Sequence, residues 1–317
     1  KCSKSLGNHN SRLGLPISYL NSKKEDKYCI IEYGANKPQE IENLCKIIKP
    51  NISIITNISN AHIKNYNSIL DIYETKKSIF KCLKREEKAF KNLDDKYIRK
   101  DNFQCNTLTY SLFKEADYRG KESIKKKEKI LSINNRKIFI KKELQHLPNI
   151  ILPVYAIATE LGIKHNEIIN ILNEFTLPKG RGKSFYINQV EVIDDSYNAN
   201  PSSVILAIDR LDSIIKNEGN KIFILGDMLE LGEHSKKEHK KIGQYINKTK
   251  INIVITYGEK SVGAFTEINN IKIQKFHFNK MNALKICLIK ILNKHDTIYL
   301  KGSRSMKLEK IYEAGLA

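Results

Sequence analysis

The segment Asp194–Pro201 holds the densest group of side chains that could do chemistry. Two carboxylates, two amides and a phenol lie between an apolar run, Val190–Ile193, and a helically spaced apolar run that begins at Val204. In an open α/β sheet, ligands bind where a strand passes to a helix in this way. The alternative is a polar turn in which Ser202 caps the helix. Capping needs one such side chain, so the composition favours a binding site.

Two other segments carry cationic side chains that could bind an anionic ligand. Lys301–Arg304 follows the apolar run Thr297–Leu300 and precedes a helix predicted to begin near Ser305. Two cations, a hydroxyl and free backbone N–H groups there predict a pocket for carboxylate or phosphate. Arg181 lies between two glycines, which permit close backbone approach, so it fits a bidentate phosphate contact or a plain linker charge.

Three single residues could bind a metal. Glu32 follows the apolar run Tyr28–Ile31, where a carboxylate is well placed for Mg²⁺; a helix-start acid is the alternative. His62 comes after the apolar run Ile52–Ile55, and alone it fits a surface or capping histidine better. Lys76 lies on a predicted amphipathic helix among other lysines, and alone it fits a solvated side chain better.

The elements around these residues alternate between strand and helix, which predicts an α/β fold. In the first part, short apolar runs favour a buried parallel sheet with Cys29 in its core, and a turn at Asn134-Asn135 joins later strands. The predicted elements are strands at Tyr28–Ile31 and Ile52–Ile55, helices around Ile41–Ile48 and Ile69–Leu83, strand-like runs over Phe103–Ile140, and helices near Val154–Leu161 and Glu167–Phe175.

The second part predicts a doubly wound domain whose polar loops fall at the carboxyl ends of its strands. Pro178 and the glycines around Arg181 mark the boundary, giving domains 1–178 and 179–317. The predicted strands are Val190–Ile193, Lys221–Leu225, Ile251–Thr256 and Thr297–Leu300, and helices include Lys236–Ile246 and Met281–Leu292.

Composition excludes several classes of protein. The net charge of +20 comes mainly from scattered lysines, since only 8 of the 55 basic residues are arginines, and no nucleic-acid motif is present. Six cysteines lack paired metal spacing and suit a reducing cytoplasm. No apolar run could span a bilayer, so no membrane insertion is expected. The chain starts at Lys1, close to its first motif, and we expect it to be a fragment.

In chain order these segments resemble one family, the Mur ligases, and within it the branch that adds D-alanyl-D-alanine. The ordered set spans almost the whole chain. The matching stretches are Gly7–Asn10 with Leu13–Pro16, Ile31–Asn36, Asn57–His62, Lys76 with Ile79-Phe80, Asn92 with Asp94-Asp95, Gly180-Arg181, Asp194–Pro201, Leu225–Gly232 and Lys301–Met306.

The resemblance implies a fold and a reaction. The fold is the remainder of a central ATPase domain, a mostly parallel sheet with helices, over 1–178, followed by a Rossmann-like ligase domain over 179–317. The reaction is ATP-dependent amide ligation. ATP phosphorylates the terminal carboxylate of UDP-MurNAc-tripeptide, and the amine of D-alanyl-D-alanine attacks the acyl phosphate. The setting is peptidoglycan precursor synthesis in the cytoplasm, by a monomer that binds no nucleic acid.

The resemblance also assigns residues, with ATP and Mg²⁺ as cofactors. Catalytic and metal-binding positions are Glu32, His62 and Lys76, the last as a carbamate. ATP-binding positions are Asn57, Arg181, Asp195, Tyr197 and Asn198. Substrate-binding positions are Asn8, Asn10, Asn200, Lys301, Ser303 and Arg304.

Two departures from the family pattern give a second hypothesis. The glycine-rich phosphate loop would precede Lys1, and Leu147 and Ile150 stand where an adenine-contacting Asn-x-x-Asn is usual. Pro148 and Pro153 are also expected to disturb the next helix. The second hypothesis is therefore a catalytically inactive or split remnant that keeps the fold without ATP turnover.

Overall fold

The structure is a computed structural model that describes residues 1–59, 63–125, 128–216 and 218–313. The chain forms two compact units, Lys1–Glu174 and Phe175–Ala317. Both are α/β, as the sequence predicts. Among the described helices, none has the length and apolar character needed to cross a membrane.

The first unit contains a six-stranded sheet in the order β3-β4-β5-β6-β7-β8 and a separate parallel pair, β1-β2. Its strands are β1 (Cys2–Lys4), β2 (Tyr28–Ile30), β3 (Ile52–Ile55), β4 (Lys88–Asn92), β5 (Asn106–Ser111), β6 (Tyr118–Lys125), β7 (Glu128–Ile133) and β8 (Arg136–Ile140). Strands β3 to β6 are parallel, and β6 to β8 are antiparallel. Between β7 and β8, Asn134 and Asn135 have φ of 46° and 68°, so the predicted turn is confirmed.

The expectation of a buried strand at Tyr28–Ile31 is wrong. Strand β2 pairs with β1 in the two-stranded sheet, and the side chain of Ile30 is 65% exposed. Cys29 is half-buried, so it is no core residue. The apolar run is real, but a strand with only one described neighbour leaves much of its surface uncovered.

The helices of the first unit are α1 (Gly14–Leu20), α2 (Glu40–Ile47), α3 (Ile69–Lys81), α4 (Pro148–Glu160) and α5 (His165–Glu174). Ser68 caps α3 in a reciprocal box with Asp71, which fixes where this helix begins. The helix buries Ile72, Tyr73 and Phe80 against the core.

Helix α4 begins earlier than predicted and continues through both prolines. Pro148 occupies the first helical position, where a missing N–H costs nothing. Pro153 lies inside the helix and removes the donor for the Asn149 carbonyl. Asn149 is exposed, so water can satisfy that carbonyl. The expected disturbance of this helix is therefore wrong.

The second unit is a single six-stranded sheet in the order β13-β12-β11-β14-β10-β9, parallel except for β9. Its strands are β9 (Lys183–Ile187), β10 (Val190–Asp195), β11 (Lys221–Gly226), β12 (Ile253–Tyr257), β13 (Gln274–Phe278) and β14 (Thr297–Lys301). Its helices are α6 (Pro201–Ser213), α7 (Ser235–Ile246), α8 (Val262–Glu267), α9 (Met281–Ile291) and α10 (Lys310–Glu313).

The last strand in the sequence, β14, lies in the middle of this sheet, between β10 and β11. Its neighbours are nearly continuous apolar runs, because parallel strands inside a sheet are covered on both faces. Val192, Ile222, Ile224, Ile298 and Leu300 form the core there with at most 3% of their surface exposed. The loops that follow β10, β11 and β14 consequently emerge side by side.

Candidate active site

A buried ion pair joins the loops that follow β10 and β14. Asp195 and Lys301 are register partners on the adjacent parallel strands. Lys301 Nζ lies 2.8 Å from Asp195 Oδ2, and the Tyr299 hydroxyl donates to the same oxygen at 3.3 Å. Burial raises the pKa of Asp195 and lowers the pKa of Lys301, while their mutual attraction opposes both shifts. Lys301 is therefore paired with a carboxylate in the structure, and its contact with a substrate anion stays a prediction.

Asp194 anchors the same loop from the other side of the strand. It is 2% exposed, and its Oδ1 accepts the backbone N–H of Ser196 at 3.1 Å. Its Oδ2 accepts the Tyr312 hydroxyl at 2.8 Å. These bonds fix the loop conformation, so Asp194 acts as a structural residue in this geometry.

Arg181 stacks on the ring of Tyr197. The guanidinium carbon lies 3.7 Å from the ring centroid. The backbone forces them together, because Tyr197 N–H donates to the Gly180 carbonyl at 3.0 Å. Gly180 has φ of +76°, and a Cβ there would lie 3.2 Å from Tyr197 Cβ. Arg181 is exposed, so its guanidinium edge stays available to a ligand.

The amides of this loop serve the backbone. Asn200 caps α6 by accepting from Ser203 N–H at 2.9 Å, and the Ser203 side chain completes a reciprocal box. The alternative in which Ser202 caps the helix is thus wrong by two positions. Asn198 Oδ1 accepts its neighbour Ala199 N–H at 2.8 Å. Each amide NH₂ is left for other partners.

Asp227, which the sequence did not single out, ties the loop after β11 to two others. Its carboxylate accepts Ser261 N–H at 2.7 Å and Lys260 N–H at 3.1 Å. Its carbonyl accepts Ser303 N–H at 3.0 Å. A Cβ on Gly258, whose φ is +109°, would lie 2.6 Å from this carboxylate. Ser303 in turn accepts Leu229 N–H at 3.0 Å through its hydroxyl.

His239 supports the start of that loop from α7. It is fully buried, and its Nε2 accepts Met228 N–H at 3.1 Å. Its Nδ1 lies 2.8 Å from the Ser235 carbonyl, so Nδ1 carries the proton of a neutral ring. Burial lowers the pKa of His239, which keeps the ring neutral.

The helix predicted near Ser305 is instead a 3₁₀ turn, Arg304–Met306, followed by the short α10. Arg304 is exposed and pairs with Glu309, with Nη1 2.8 Å from Oε1. The second carboxylate oxygen of Glu309 is buried without a hydrogen-bond partner among the described residues. No sequence signal marked Glu309 except its position after the Lys301–Arg304 motif.

A cavity of about 290 Å³ lies beside this loop within the second unit. Tyr197 and Gly180 form part of its wall. Three carboxylates line it against two cations, namely Asp194, Glu309 and Glu313 against Lys179 and Arg304. Lys179 pairs with Glu313 at 2.7 Å and Arg304 with Glu309, so Asp194 supplies the excess negative charge.

In the first unit the structure brings two predicted residues together. Asn10 Nδ2 donates to Glu32 Oε1 at 3.0 Å. Gly34 N–H donates to the Asn10 carbonyl at 2.8 Å, and a Cβ on Gly34 would lie 2.6 Å from the Asn10 side chain. Glu32 is exposed, and Ser5 holds its backbone N–H at 2.8 Å. Asn8 joins this loop through its carbonyl, which accepts Asn10 N–H at 2.8 Å.

Lys76 differs from the other lysines of α3. Burial lowers its pKa, and the nearby Asp95 carboxylate only partly opposes this. No described side chain hydrogen-bonds or pairs with it, whereas Lys77 beside it lies 2.8 Å from Asp101. Lys76 is half-buried, so it is less solvated than the sequence alternative supposed. A partly desolvated amine with a lowered pKa is often reactive.

Acidic residues after β4 hold the loop ends of this unit together. Asp95 accepts Ile58 N–H at 2.7 Å, which connects it to the loop after β3. Asp94 accepts Leu112 N–H at 2.7 Å, after β5. Asn57 lies exposed in the loop after β3. His62 lies outside the described residues, and within the described part of the chain no cluster of three His, Cys, Asp or Glu side chains forms a metal site.

Comparison with known proteins gives one family over both units. Residues 1–159 match the Mur ligase middle domain, and residues 180–304 match the Mur ligase glutamate ligase domain. The chain is 36% identical to the UDP-N-acetylmuramoyl-tripeptide–D-alanyl-D-alanine ligase of Buchnera aphidicola subsp. Baizongia pistaciae, covering 96% of this chain and 67% of that protein.

Two solved structures share the fold. MurF from Acinetobacter baumannii has a TM-score of 0.87 at 23% identity, over 99% of this chain and 70% of that one. MurF ligase from Thermotoga maritima, in complex with ADP, has a TM-score of 0.85 at 26% identity, over 99% and 73%.

Proposed function

The chain belongs to the Mur ligase family, and on that premise we propose that it is the ATP-dependent ligase that joins D-alanyl-D-alanine to UDP-MurNAc-tripeptide. The observation that carries this proposal is the meeting of the Asp194–Pro201, Asp227 and Lys301–Arg304 loops around β14. Membership in the family supplies the fold and the amide-ligase chemistry. The loops supply the side chains that hold two substrates.

The cavity of the second unit suits the amine substrate. Its excess carboxylate charge attracts an ammonium group, and the unpartnered Glu309 oxygen lacks a donor. Arg304 is exposed and, like the amide NH₂ groups of Asn198 and Asn200, can bind a carboxylate. In this proposal the dipeptide lies along Asn200, Ser303 and Arg304, with Lys301 holding the loop through Asp195.

ATP is proposed to lie against Arg181, Tyr197 and Asp195. The Arg181 guanidinium is already oriented by the Tyr197 ring, so it can hold a phosphate with little loss of side-chain entropy. Asp195, which Lys301 holds in place, offers its carboxylate to a ribose hydroxyl in this proposal. Asn57 and Asn198 are the remaining proposed contacts.

The first unit offers residues that fit Mg²⁺. Glu32 is exposed and uses one oxygen for Asn10, and Mg²⁺ prefers such oxygen ligands. Lys76 has the lowered pKa that increases its neutral amine, the form that adds CO₂ and becomes a carbamate. We propose these two residues, with His62, as the metal ligands. Bound Mg²⁺ supplies charge neutralisation for phosphoryl transfer.

In this proposal the chain's own residues position the metal ligand Glu32 and the substrates. Asn10 orients Glu32, and Asn8 and Asn10 face the UDP-sugar substrate. The carboxylate of the tripeptide gains the γ-phosphoryl group of ATP, and ADP leaves. The amine then attacks the acyl phosphate; the new C–N bond forms, and phosphate and a proton leave. The proposed setting is peptidoglycan precursor synthesis in the cytoplasm, by a monomer.

The test is phosphate release by the protein with ATP, Mg²⁺, UDP-MurNAc-tripeptide and D-alanyl-D-alanine. Release that requires both substrates, together with a product of the pentapeptide mass, supports the proposal. Binding of substrate without phosphate release would support the inactive or split remnant instead. Omission of D-alanyl-D-alanine is the matched control.

A further inference from the structure

Two cysteines meet inside the first unit. Cys45 lies on α2, and Cys82 is the C-cap residue that follows α3. Both side chains belong to the apolar cluster around Leu15 and Ile41, and the Cys82 thiol donates to the Ile79 carbonyl at 3.0 Å. All six cysteines of the chain are free thiols in the structure. Two thiols packed in one cluster can form a disulfide when side-chain rotation brings the sulfurs together.

The two thiols differ in access and in reactivity. Cys45 is 6% exposed, whereas Cys82 is half-buried and can meet a small solute. The neighbouring Cys45 thiol lowers the pKa of Cys82, burial opposes this, and Lys49 lowers it further. The Cys82 thiol and burial raise the pKa of Cys45. Cys82 is thus the nucleophile and Cys45 the resolving thiol.

The other four cysteines offer no second pair. Cys2 pairs with Tyr28 and Ser3 pairs with Cys29 in the parallel β1-β2 register. Cys2 and Cys29 therefore point to opposite faces of the two strands, although they are close in space. Cys105 lies in a different apolar cluster, and Cys287 lies on α9 of the second unit.

We propose that Cys45 and Cys82 form a reversible redox site, oxidised by hydrogen peroxide to a disulfide and reduced by cellular dithiols. The Cys82 thiolate attacks peroxide, so an S–O bond forms, the O–O bond breaks and hydroxide leaves. Cys45, after losing its proton, attacks Cys82 Sγ; the S–S bond forms and the oxygen leaves as water. Two thiols and one peroxide give one disulfide and two waters.

The site lies where it can act on the metal-binding loop. The cluster that contains both thiols also contains Ile31 and Tyr33, the two neighbours of Glu32. The bond would link α2 directly to the end of α3, the helix that carries Lys76. The closed loop restricts the unfolded chain, so oxidation is expected to raise the melting temperature. The proposal rests on packing, and it stands whether or not the chain is a ligase.

The experiment oxidises the full chain with hydrogen peroxide and maps its disulfides by digestion and mass spectrometry without reductant. The expected result is one cross-linked peptide, Cys45 to Cys82, with a loss of two hydrogens that dithiothreitol reverses. Cys82→Ser should abolish the cross-link and leave Cys45 reduced. Cys29→Ser is the matched control and should retain it.

Two outcomes would overturn the proposal. In one, the wild-type chain accumulates sulfinic acid or a mixed disulfide at Cys82 while Cys45 remains a thiol. In the other, cross-links form as readily between other cysteine pairs, which denotes non-specific oxidation. Mapping of the wild-type chain decides the question even if a serine variant folds poorly.

Discussion

In the second unit the charged side chains of the candidate site are already paired, whereas in the first unit the corresponding ones have few or no partners. Lys301 is matched to Asp195, and the Asp227 carboxylate is filled by backbone N–H groups. Glu32 is exposed, and Lys76 is half-buried without a described partner. The second unit therefore behaves as a scaffold whose loops are fixed before any ligand arrives. In the first unit these groups lack a partner of opposite charge, which a ligand or a covalent modification would have to supply.

The largest expected effect tests the first unit, where the charged groups have few partners. Replacing Lys76 with Ala removes the proposed carbamate ligand, and we expect phosphate release to fall by ~10²-fold or more. Lys81→Ala, on the same helix but exposed, is the control and should leave turnover near wild type. Short carboxylic acids should partly rescue the Lys76 variant. Unchanged turnover would remove Lys76 from the site and end the contrast between the units.

The next effect tests the second unit, where the charged groups are already paired. Lys301→Met leaves Asp195 as a buried charge without its partner, so the free energy of unfolding should fall by about 3 kcal/mol. Burial opposes the charge on both residues, so the double variant Lys301→Met with Asp195→Asn should recover most of that loss. Urea denaturation of the variants measures both values. With Asp195→Asn measured as well, a double-variant loss equal to the sum of the two single losses would mean that the pair does not couple.

Acid should lower the stability of the second unit because of His239. In the unfolded chain this histidine takes a proton near pH 6.5, while in the folded chain its lowered pKa keeps it neutral. The unfolded state then binds more protons below pH 6.5, so stability is complete above that pH and is lost as the pH falls. The slope is at most about 1.4 kcal/mol per pH unit.

The measurement is the melting temperature from pH 7.5 to 5. His239→Gln should lower the melting temperature at every pH and make it depend less on pH. Burial also lowers the pKa of His277 in the same unit, so His277→Asn provides the comparison. A wild-type slope that persists in the His239 variant would assign the effect to other groups.

The smallest expected effect concerns the stacked Arg181. Lysine in its place keeps the charge but loses the planar contact with Tyr197. We expect the KM for ATP to rise about threefold with little change in melting temperature, since such contacts at exposed sites contribute ~0.5–1 kcal/mol. Arg85→Lys, at an exposed position of the first unit, is the matched control. A large fall in melting temperature would mean that Arg181 stabilises the fold of the second unit and does not serve mainly to bind ATP.

Sequence patterns predicted the buried strands of the second unit and the long helices because these carry strong apolar periodicity. The buried strand β4 of the first unit was missed, because two lysines and an asparagine interrupt its apolar residues. Strands β10, β11, β12 and β14 were found within two residues of their observed bounds. The two edge strands, β9 and β13, were missed, since half-exposed strands mix lysine and aromatic residues and give no apolar run. The burial of β2 was wrong for a related reason, because an apolar run does not say what covers it.

The site was predicted in composition and only partly in geometry. The loops that meet around β14 were found, but the contact between Asn10 and Glu32 was not predicted, because the family pattern gives these two residues separate roles. The pairing of Lys301 could not be read from the sequence, because it depends on β14 being inserted beside β10. Asp227 lay in a matched stretch without a role, since its partners are on a distant segment of the chain. Glu309 was missed because no motif contains it.

The central place of β14 also dictates the order in which the second unit can be assembled. Strands β10 and β11 emerge from the ribosome well before β14, and they pair with it and not with each other. Until that strand is synthesised, both neighbours keep an open edge of unpaired N–H and C=O groups. The growing chain therefore passes through a stage in which unpaired strand edges favour aggregation. A premature stop codon before Thr297 would make that stage permanent.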